Sequence, residues 1–234
     1  LWPSAVVLVV TARALRVHGG GDPSRPGGIE EIECGLAHLQ HHVESVQAFG
    51  FEPVIAINRF AGDTSDELTA IEQYCTGLGL NSALLTGFAD GGAGAEALAH
   101  AVTTAVNRPQ PPVRYLYDLN ASPEDKIAAV ARTIYGASEA EFSRAAKQDL
   151  ERIRALGYDR LPVCIAKTHL SLSSDPAKVG HPEAFPLPVE SVRIAAGAGY
   201  LLVMTGDIVT MPGLPHDPAA HRIDLSDDGD IIGV

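Results

Sequence analysis

The chain has 234 residues, enough for one or two domains with a sizeable hydrophobic core. Its formal net charge of −12 argues against a nucleic-acid-binding surface, because such a surface needs clustered lysines and arginines to neutralise phosphates. No stretch approaches the roughly 20 apolar residues that a transmembrane helix needs, so we expect neither nucleic acid nor a membrane as a partner.

The three cysteines, Cys34, Cys75 and Cys164, are odd in number and lie far apart in apolar or helical surroundings. This pattern predicts reduced thiols in the core of a cytoplasmic protein. The sequence also begins at Leu1, without a methionine, and enters an apolar stretch at once. We therefore expect it to be a fragment whose true start lies upstream.

The first element is a strand at Ala5 to Val10, where every residue is apolar, which is typical of an interior strand of a parallel sheet. Arg13, Arg16 and His18 lead from it into three glycines at 19–21. These glycines lack the lysine and hydroxyl of a phosphate-binding loop, so a flexible turn is the favoured interpretation.

A helix is predicted from Ile29 to Val46, because apolar residues recur there every three or four positions. His38, His41 and His42 lie on this helix. No cysteine or carboxylate accompanies them at the spacing of metal ligands, so we interpret them as a solvated face rather than a metal site.

The stretch from Pro53 to Ile57 is nearly all apolar and predicts a strand buried on both faces. Asn58, Arg59 and Phe60 follow at its carboxyl end, where open α/β sheets usually bind ligands. Two interpretations stay open: these residues contact a ligand, or Arg59 is a solvated charge and Phe60 a core side chain. Thr64 and Glu67 form a capping box that starts the next helix.

A second strand-to-helix turn follows the short predicted strand Ser82 to Leu85. It is glycine-rich, contains Phe88, Gly91 and Gly92, and leads into a helix that includes Leu98. Backbone N–H groups at such a turn favour an anion, although a turn without a ligand fits equally well. Because the two strands should be neighbours, we expect Phe60 and Phe88 to face one cleft.

The second half of the chain alternates less regularly. Ser122 and Pro123 start a helix that ends at Gly136, and Ser138 with Glu141 predicts a capping box for another helix ending at Gly157. Three strands and a closing hairpin are predicted after these helices, at Leu161 to Ala166, Val189 to Ala196, Tyr200 to Met204 and Asp224 to Val234.

Lys167 follows the strand Leu161 to Ala166 and leads into a serine-rich loop. It could form a polar lip for a ligand, but an ordinary surface lysine is the favoured interpretation. Further along, Met211 to Pro215 is predicted to be a rigid loop, and the closing hairpin is predicted to turn at residues 227–229. The whole pattern indicates an α/β fold of mostly parallel sheet units with a smaller carboxyl-terminal α+β domain.

Several of these motifs occur, in the same order, in a known family. The chain closely resembles formate–tetrahydrofolate ligase at the segments VVLVVTARALRVHGG (6–20), PVIAINRFAGDT (53–64), 126–141 with its IYGA core, LPVCIAKTHLSLS (161–173) and GAGYLLVMTGDIVTMPGLP (197–215). The resemblance covers about the carboxyl-terminal two fifths of that enzyme. The phosphate-binding loop of the family, a P-loop-type element with its lysine, would lie upstream.

The resemblance implies an ATP-dependent ligase. Enzymes of this family convert formate to formyl phosphate, and the N10 amine of tetrahydrofolate then attacks the formyl carbon to give 10-formyltetrahydrofolate. Magnesium, and a monovalent cation if one is used, would be expected with ATP at the upstream part. The fragment would instead supply a flat apolar slot for the pterin ring and would be inactive alone.

The resemblance also implies which residues form that slot. Two aromatic rings sandwich the folate in the family, and they match Phe60 and Phe88. Asn58, Gly91 and Gly92 complete the implied folate-binding set, whereas the catalytic phosphate-binding residues are not in this chain. The family usually has tryptophan where Phe88 stands, and Ala61-Gly62 makes a looser loop than is usual there.

By the same resemblance the chain would contain three parts: 1–40 as the tail of a large nucleotide-binding domain, 41–139 as a second α/β domain with the folate slot, and 140–234 as a third, α+β domain. The complete enzyme would be a homotetramer. Two other hypotheses remain. One is a non-catalytic α/β binding or assembly module with Phe60 and Phe88 in its core, and the other is a different nucleotide-dependent ligase. Ring burial would separate the first of these from the folate slot.

Overall fold

The computed structural model describes residues 2–22, 28–109, 112, 114–206, 208, 216–227 and 231–233. None of the helices in these residues is both long and apolar enough to cross a membrane. Besides two short 3-10 turns at Ala93–Ala95 and Ala219–His221, the elements in chain order are β1 (Val7–Val10), α1 (Ala12–His18), α2 (Ile29–Ala48), β2 (Val54–Asn58), α3 (Ser65–Gly77), β3 (Ser82–Leu85), α4 (Gly87–Asp90), α5 (Glu96–Val106), α6 (Pro123–Tyr135), β4 (Glu139–Phe142), α7 (Arg144–Ala155), β5 (Val163–Ala166), β6 (Pro186–Val189), β7 (Ser191–Ala195), β8 (Tyr200–Met204), β9 (Asp224–Leu225) and β10 (Ile231–Ile232).

The first sheet contains three parallel strands in the order β1-β2-β3. Its middle strand β2 is buried, with Ile55, Ala56 and Ile57 fully shielded from solvent, as the continuous apolar run predicts. Asn58 pairs with Leu85, so the carboxyl ends of β2 and β3 lie side by side. The prediction that the turns after these two strands are neighbours is confirmed.

The prediction of an interior strand at Ala5 to Val10 is wrong. Within the described residues β1 pairs with β2 alone and therefore forms an edge of the sheet. Val7 and Val9 are exposed as a result, Val9 by 58%. A run of apolar residues indicates a strand but not how many neighbouring strands it has, so the sequence pattern does not distinguish an edge strand from an interior strand.

A helix that the sequence pattern did not predict, α1, follows β1 directly. Thr11 caps it by accepting a hydrogen bond from the Ala14 amide at 3.0 Å. α1 packs closely on α2, because Gly35 lets the two backbones meet: a Cβ atom there would lie 2.2 Å from the Leu15 carbonyl oxygen. The first hydrophobic core combines buried side chains of α1, α2, β2 and α3, among them Leu15, Leu39, Ile57 and Ile71.

Two further sheets lie in the second half of the chain. β4 pairs with β6 in parallel, while β8 lies between β5, to which it is parallel, and β7, to which it is antiparallel. A second core joins these strands to α6 and α7 through side chains that include Ile127, Leu150, Val189 and Val203. The fold is therefore α/β with mostly parallel strands, as predicted. The division into three domains at Gln40 and Glu139 stays a prediction.

The two helices of this half differ in how well their ends were predicted. α6 begins at the Ser122 cap and ends at Gly136, whose φ of 71° is left-handed. The predicted capping box at Ser138 is wrong, because the residues after it form β4. The Ser138 amide and hydroxyl both donate to the Phe185 carbonyl, and α7 begins after Ser143 instead.

The predictions for the later strands, the closing hairpin and the cysteines are correct only in part. The strand predicted at Val189 to Ala196 is split at Glu190 into the end of β6 and β7. β9 and β10 pair as the predicted hairpin, but residues 228 and 229 of its turn and the loop 211–215 lie outside the described residues. Of the three cysteines, only Cys75 is buried, so the prediction of core thiols is wrong for Cys34 and Cys164.

Candidate functional site

An open groove of about 490 Å³ lies at the carboxyl ends of β2 and β3. Phe60 lines it from the turn after β2, and Phe88 lines it from α4, after β3. Phe60 is 52% exposed and Phe88 is fully exposed, so neither ring belongs to the core. The volume lies within the usual range of small-molecule sites, and two free aromatic faces suit a planar, largely apolar guest.

The turn that carries Phe60 is fixed by hydrogen bonds on both sides. The Arg59 amide donates to the Leu85 carbonyl at 3.0 Å, which joins the turn to the end of β3. The Phe60 amide donates to Asp63 Oδ2 at 2.8 Å, and the Asp63 amide donates back to the Phe60 carbonyl at 3.0 Å. The backbone of Phe60 is thus held twice by one aspartate.

The predicted capping box that follows this turn is confirmed. The Glu67 amide donates to Thr64 Oγ1 at 3.3 Å, and the Thr64 amide donates to Glu67 Oε2 at 2.9 Å. Both carboxylates of this segment also contact a cation on α1: Arg16 lies 2.8 Å from Glu67 Oε1 and 3.5 Å from Asp63 Oδ1.

The turn that carries Phe88 is closed by Thr86. Its carbonyl accepts the amides of Ala89 and Asp90, which makes the single helical turn α4, and its amide donates to the Gly94 carbonyl at 3.0 Å. A Cβ atom at Gly94 would lie 2.5 Å from Thr86 Oγ1, so only glycine allows this close return of the chain. The glycine-rich turn therefore has a clear role in placing α4.

Only some of the predicted site residues line the groove. Phe60 and Phe88 line it together, whereas Asn58, at the end of β2, and Gly91 and Gly92, after α4, are not among the lining residues. Five further residues line the groove but are missing from the predicted folate-binding set. All of them belong to the two turns that carry the rings, so their place in the sequence next to Phe60 and Phe88 could have identified them: Arg59, Ala61, Thr86, Ala89 and Asp90.

The histidines of α2 are not a solvated face, and that interpretation is wrong. His38 stacks on His18 of α1 with ring centroids 3.5 Å apart. His38 Nδ1 lies 2.8 Å from the Gly180 carbonyl, and the Gly180 amide donates to His18 Nδ1 at 3.1 Å. His41 is likewise buried, with Nε2 at 2.8 Å from the Ile134 carbonyl.

These contacts define the protonation of the rings. A carbonyl only accepts, so His38 carries its proton on Nδ1, and its bare Nε2 accepts from His42 Nε2 at 3.0 Å. Burial is the main cause that lowers the pKa of His38 and of His42 to about 4. Both rings are therefore neutral at physiological pH. Among the described residues no three His, Cys, Asp or Glu side chains converge as metal ligands would.

Lys167 is not an ordinary surface lysine. Its ammonium group donates to the carbonyls of Thr168 and Ser173, each at 2.8 Å, and to that of Ser171. It also lies 5.2 Å from the centre of the Tyr135 ring, and burial lowers its pKa to about 8. Lys167 thus holds the serine-rich loop together instead of pointing into the groove.

Comparison with known proteins shows a single family along the whole chain. The model of the family formate–tetrahydrofolate ligase matches residues 1–234. The formate–tetrahydrofolate ligase of Myxococcus xanthus is 49% identical over 241 residues, a match that covers 100% of this chain and 43% of the relative. The enzymes of the same name from Bacillus licheniformis and Maricaulis maris are 42% and 43% identical, covering 99% and 100% of this chain. The chain spans about two fifths of the length of these relatives.

Proposed function

Because this chain belongs to the formate–tetrahydrofolate ligase family, we propose that it is the folate-side portion of an enzyme that ligates formate to tetrahydrofolate in an ATP-dependent reaction. The product of such an enzyme is 10-formyltetrahydrofolate, reached through formyl phosphate. In this proposal the part of the ligase outside the chain binds ATP, Mg²⁺ and any monovalent cation. The chain itself has no glycine-rich loop ending in lysine and a hydroxyl residue, as phosphate binding of that type requires.

The observation that carries the proposal is the groove shared by Phe60 and Phe88. Their rings stand free on two adjacent turns, where a pterin could stack between them and be held in register for attack by N10. Arg59 and Asp90 add charges of both signs to the same groove, which suits the polar edge of a pterin. Asn58, Gly91 and Gly92 would then support the two turns from outside.

The exposure of both rings disfavours the alternative in which the chain is a non-catalytic module with Phe60 and Phe88 in its core. Core rings would be shielded, whereas here one ring is about half exposed and the other fully exposed. The remaining elements of the proposal are a homotetrameric complete enzyme in the cytoplasm and a division of this chain into three domains.

The proposal is tested by titrating tetrahydrofolate into the complete enzyme that contains this chain, using isothermal titration calorimetry. Phe60→Ala and Phe88→Ala should each weaken binding by about fivefold or more, since each removes a stacking face worth roughly 1 kcal/mol. Tyr158→Ala is the matched control, because it removes an exposed aromatic ring outside the groove. Phe88→Trp should tighten binding by enlarging the stacking surface.

Unchanged affinity in both alanine variants would remove the folate slot from these turns. A second measurement tests the division of labour between the two parts of the enzyme. The 234-residue chain alone should form no 10-formyltetrahydrofolate from ATP, formate and tetrahydrofolate, and turnover by the chain alone would contradict the proposal.

A further inference from the structure

Arg16 lies on α1, outside the groove, yet it contacts the two acidic residues that shape the Phe60 turn. Its guanidinium lies 2.8 Å from Glu67 Oε1 and 3.5 Å from Asp63 Oδ1. The other oxygen of Asp63 accepts the Phe60 amide, and the other oxygen of Glu67 accepts the Thr64 amide. One cation therefore connects through two carboxylates to the backbone at both ends of the turn.

Burial makes this cation necessary. The side chains of Asp63 and Glu67 are only 1% and 2% exposed, and that of Arg16 is 12% exposed. Without the guanidinium each carboxylate would keep its backbone amide donor but lose its counter-charge. A buried charge without a counter-charge is strongly unfavourable, so both acids would turn toward water. The acceptor for the Phe60 amide would then move away, and the turn would lose one of the hydrogen bonds that fix its shape.

The position of Arg16 is itself set by close packing. α1 lies against α2 at Gly35, where the backbones are too near for any side chain, so α1 has little freedom to shift. The guanidinium is thus presented to the Phe60 turn from a rigid support, whereas Arg13 of the same helix is exposed.

We propose that Arg16 is a positioning residue for the pterin slot, which acts through Asp63 and Glu67 to hold the Phe60 ring in its place in the groove. The inference rests on the proposed function, because it assigns Arg16 to the folate affinity of that site. It also makes a claim about the turn that does not depend on the ligand.

The ligand-independent claim is tested by hydrogen exchange. In Arg16→Met, the amides of Phe60 and Thr64 should exchange at least tenfold faster than in the wild type, because both lose their ordered acceptors. Arg16→Lys keeps the charge without the forked geometry and should lie between the two. Arg13→Met is the matched control on the same helix and should leave both amides unchanged.

The functional claim is tested by a double-mutant cycle in the complete enzyme. Arg16→Met should raise the KM for tetrahydrofolate by about fivefold, the value expected for a displaced stacking ring, with the KM values for ATP and formate unchanged. In the Phe60→Ala background the same substitution should have less than a twofold effect, because the ring through which it acts is absent. Arg16→Lys provides the measurement if Arg16→Met does not fold.

The outcomes separate the two proposals. An equal loss from the Arg16 substitution with and without Phe60, or unchanged exchange at the Phe60 amide, would overturn the positioning role while leaving the folate slot intact. Unchanged folate affinity in both Phe60→Ala and Phe88→Ala, together with fast exchange in the Arg16 variant, would instead remove the folate slot and restrict Arg16 to ordering the turn.

Discussion

Replacing Gly35 by alanine tests the close contact between α1 and α2. In most exposed helix interiors this substitution stabilises a protein by up to about 1 kcal/mol, because alanine has the higher helix propensity. At Gly35 the added Cβ atom would lie 2.2 Å from the oxygen, 2.8 Å from the carbon and 3.0 Å from the Cα of Leu15. We therefore expect the sign of the effect to reverse.

The magnitude follows from how far the helices must separate. Ordinary contact for a Cβ atom begins near 3.4 Å, so the backbone of α1 has to move by about 1 Å, and a gap of that size forfeits a quarter to a half of each dispersion contact. Overpacking of this kind typically costs about 1–3 kcal/mol, and the upper half of that range applies here because the atoms met are backbone atoms of Leu15. After a propensity gain of up to about 1 kcal/mol, a net destabilisation of about 1–2 kcal/mol remains. In a chain of this length that lowers Tm by roughly 2–8 °C.

Differential scanning calorimetry measures the shift, with Gly77→Ala as the control. Gly77 also lies in a helix, α3, but has open space around its Cβ position, so its substitution should raise Tm slightly. If Gly35→Ala raised Tm in the same way, the close packing of α1 on α2 would be refuted. The rigid support proposed for Arg16 would then fail as well.

Two further predictions concern the pH dependence of stability and a helix cap. Because the pKa values of His38 and His42 are about 4 in the folded chain and near 6.5 when unfolded, the unfolded state binds more protons between these values. The free energy of unfolding should thus fall as pH decreases from about 6.5 to about 4, by roughly 1–2 kcal/mol per ring after allowance for partial exposure. Urea titrations measure this decrease, which should be smaller in His42→Gln than in the wild type. If the free energy of unfolding depended on pH in His42→Gln as it does in the wild type, the assigned neutrality of His42 would be contradicted. In the same urea assay Ser143→Ala should lower the free energy of unfolding by about 1 kcal/mol, because it removes the side chain that caps α7. Ser143→Thr should keep most of that stability, since threonine can also cap a helix. Equal losses in the two variants would contradict the cap.

The sequence was most informative where a few neighbouring residues determine the structure. The capping box at Thr64 and Glu67 and the start and end of α6 at Ser122 and Gly136 all depend on residues within one helical turn. The buried strand β2 was predictable for a similar reason, since its apolar run needs no partner to be recognised. These elements placed the Phe60 turn correctly at the end of β2.

Predictions from local sequence patterns were wrong where contacts with distant residues determine the structure. Ser138 and Glu141 have the spacing of a capping box, but the Ser138 hydroxyl binds the carbonyl of Phe185, 47 residues away, and β4 pairs with β6. The histidines of α2 looked solvated because Gly180, which binds His38, is 142 residues distant. No local pattern contains such partners.

The candidate site shows both behaviours. The two rings were predictable, because each follows a strand whose neighbour could be inferred from the order of elements. The link from Arg16 to Asp63 was not, since it spans 47 residues and joins a helix that the pattern did not predict. The sequence thus indicated which two aromatic side chains share the groove, and the structure adds what holds the Phe60 turn.

The bonds from Gly180 to His18 and His38 have a consequence for how the chain is made. They connect residues 162 and 142 positions apart, so during synthesis the rings emerge long before their partner does. At typical translation speeds the interval is about 7–30 s, far longer than a small core needs to form. The amino-terminal sheet can therefore fold on the ribosome with its imidazoles still hydrated, and the hydrogen bonds of His18 and His38 to Gly180 form only when residue 180 has left the exit tunnel.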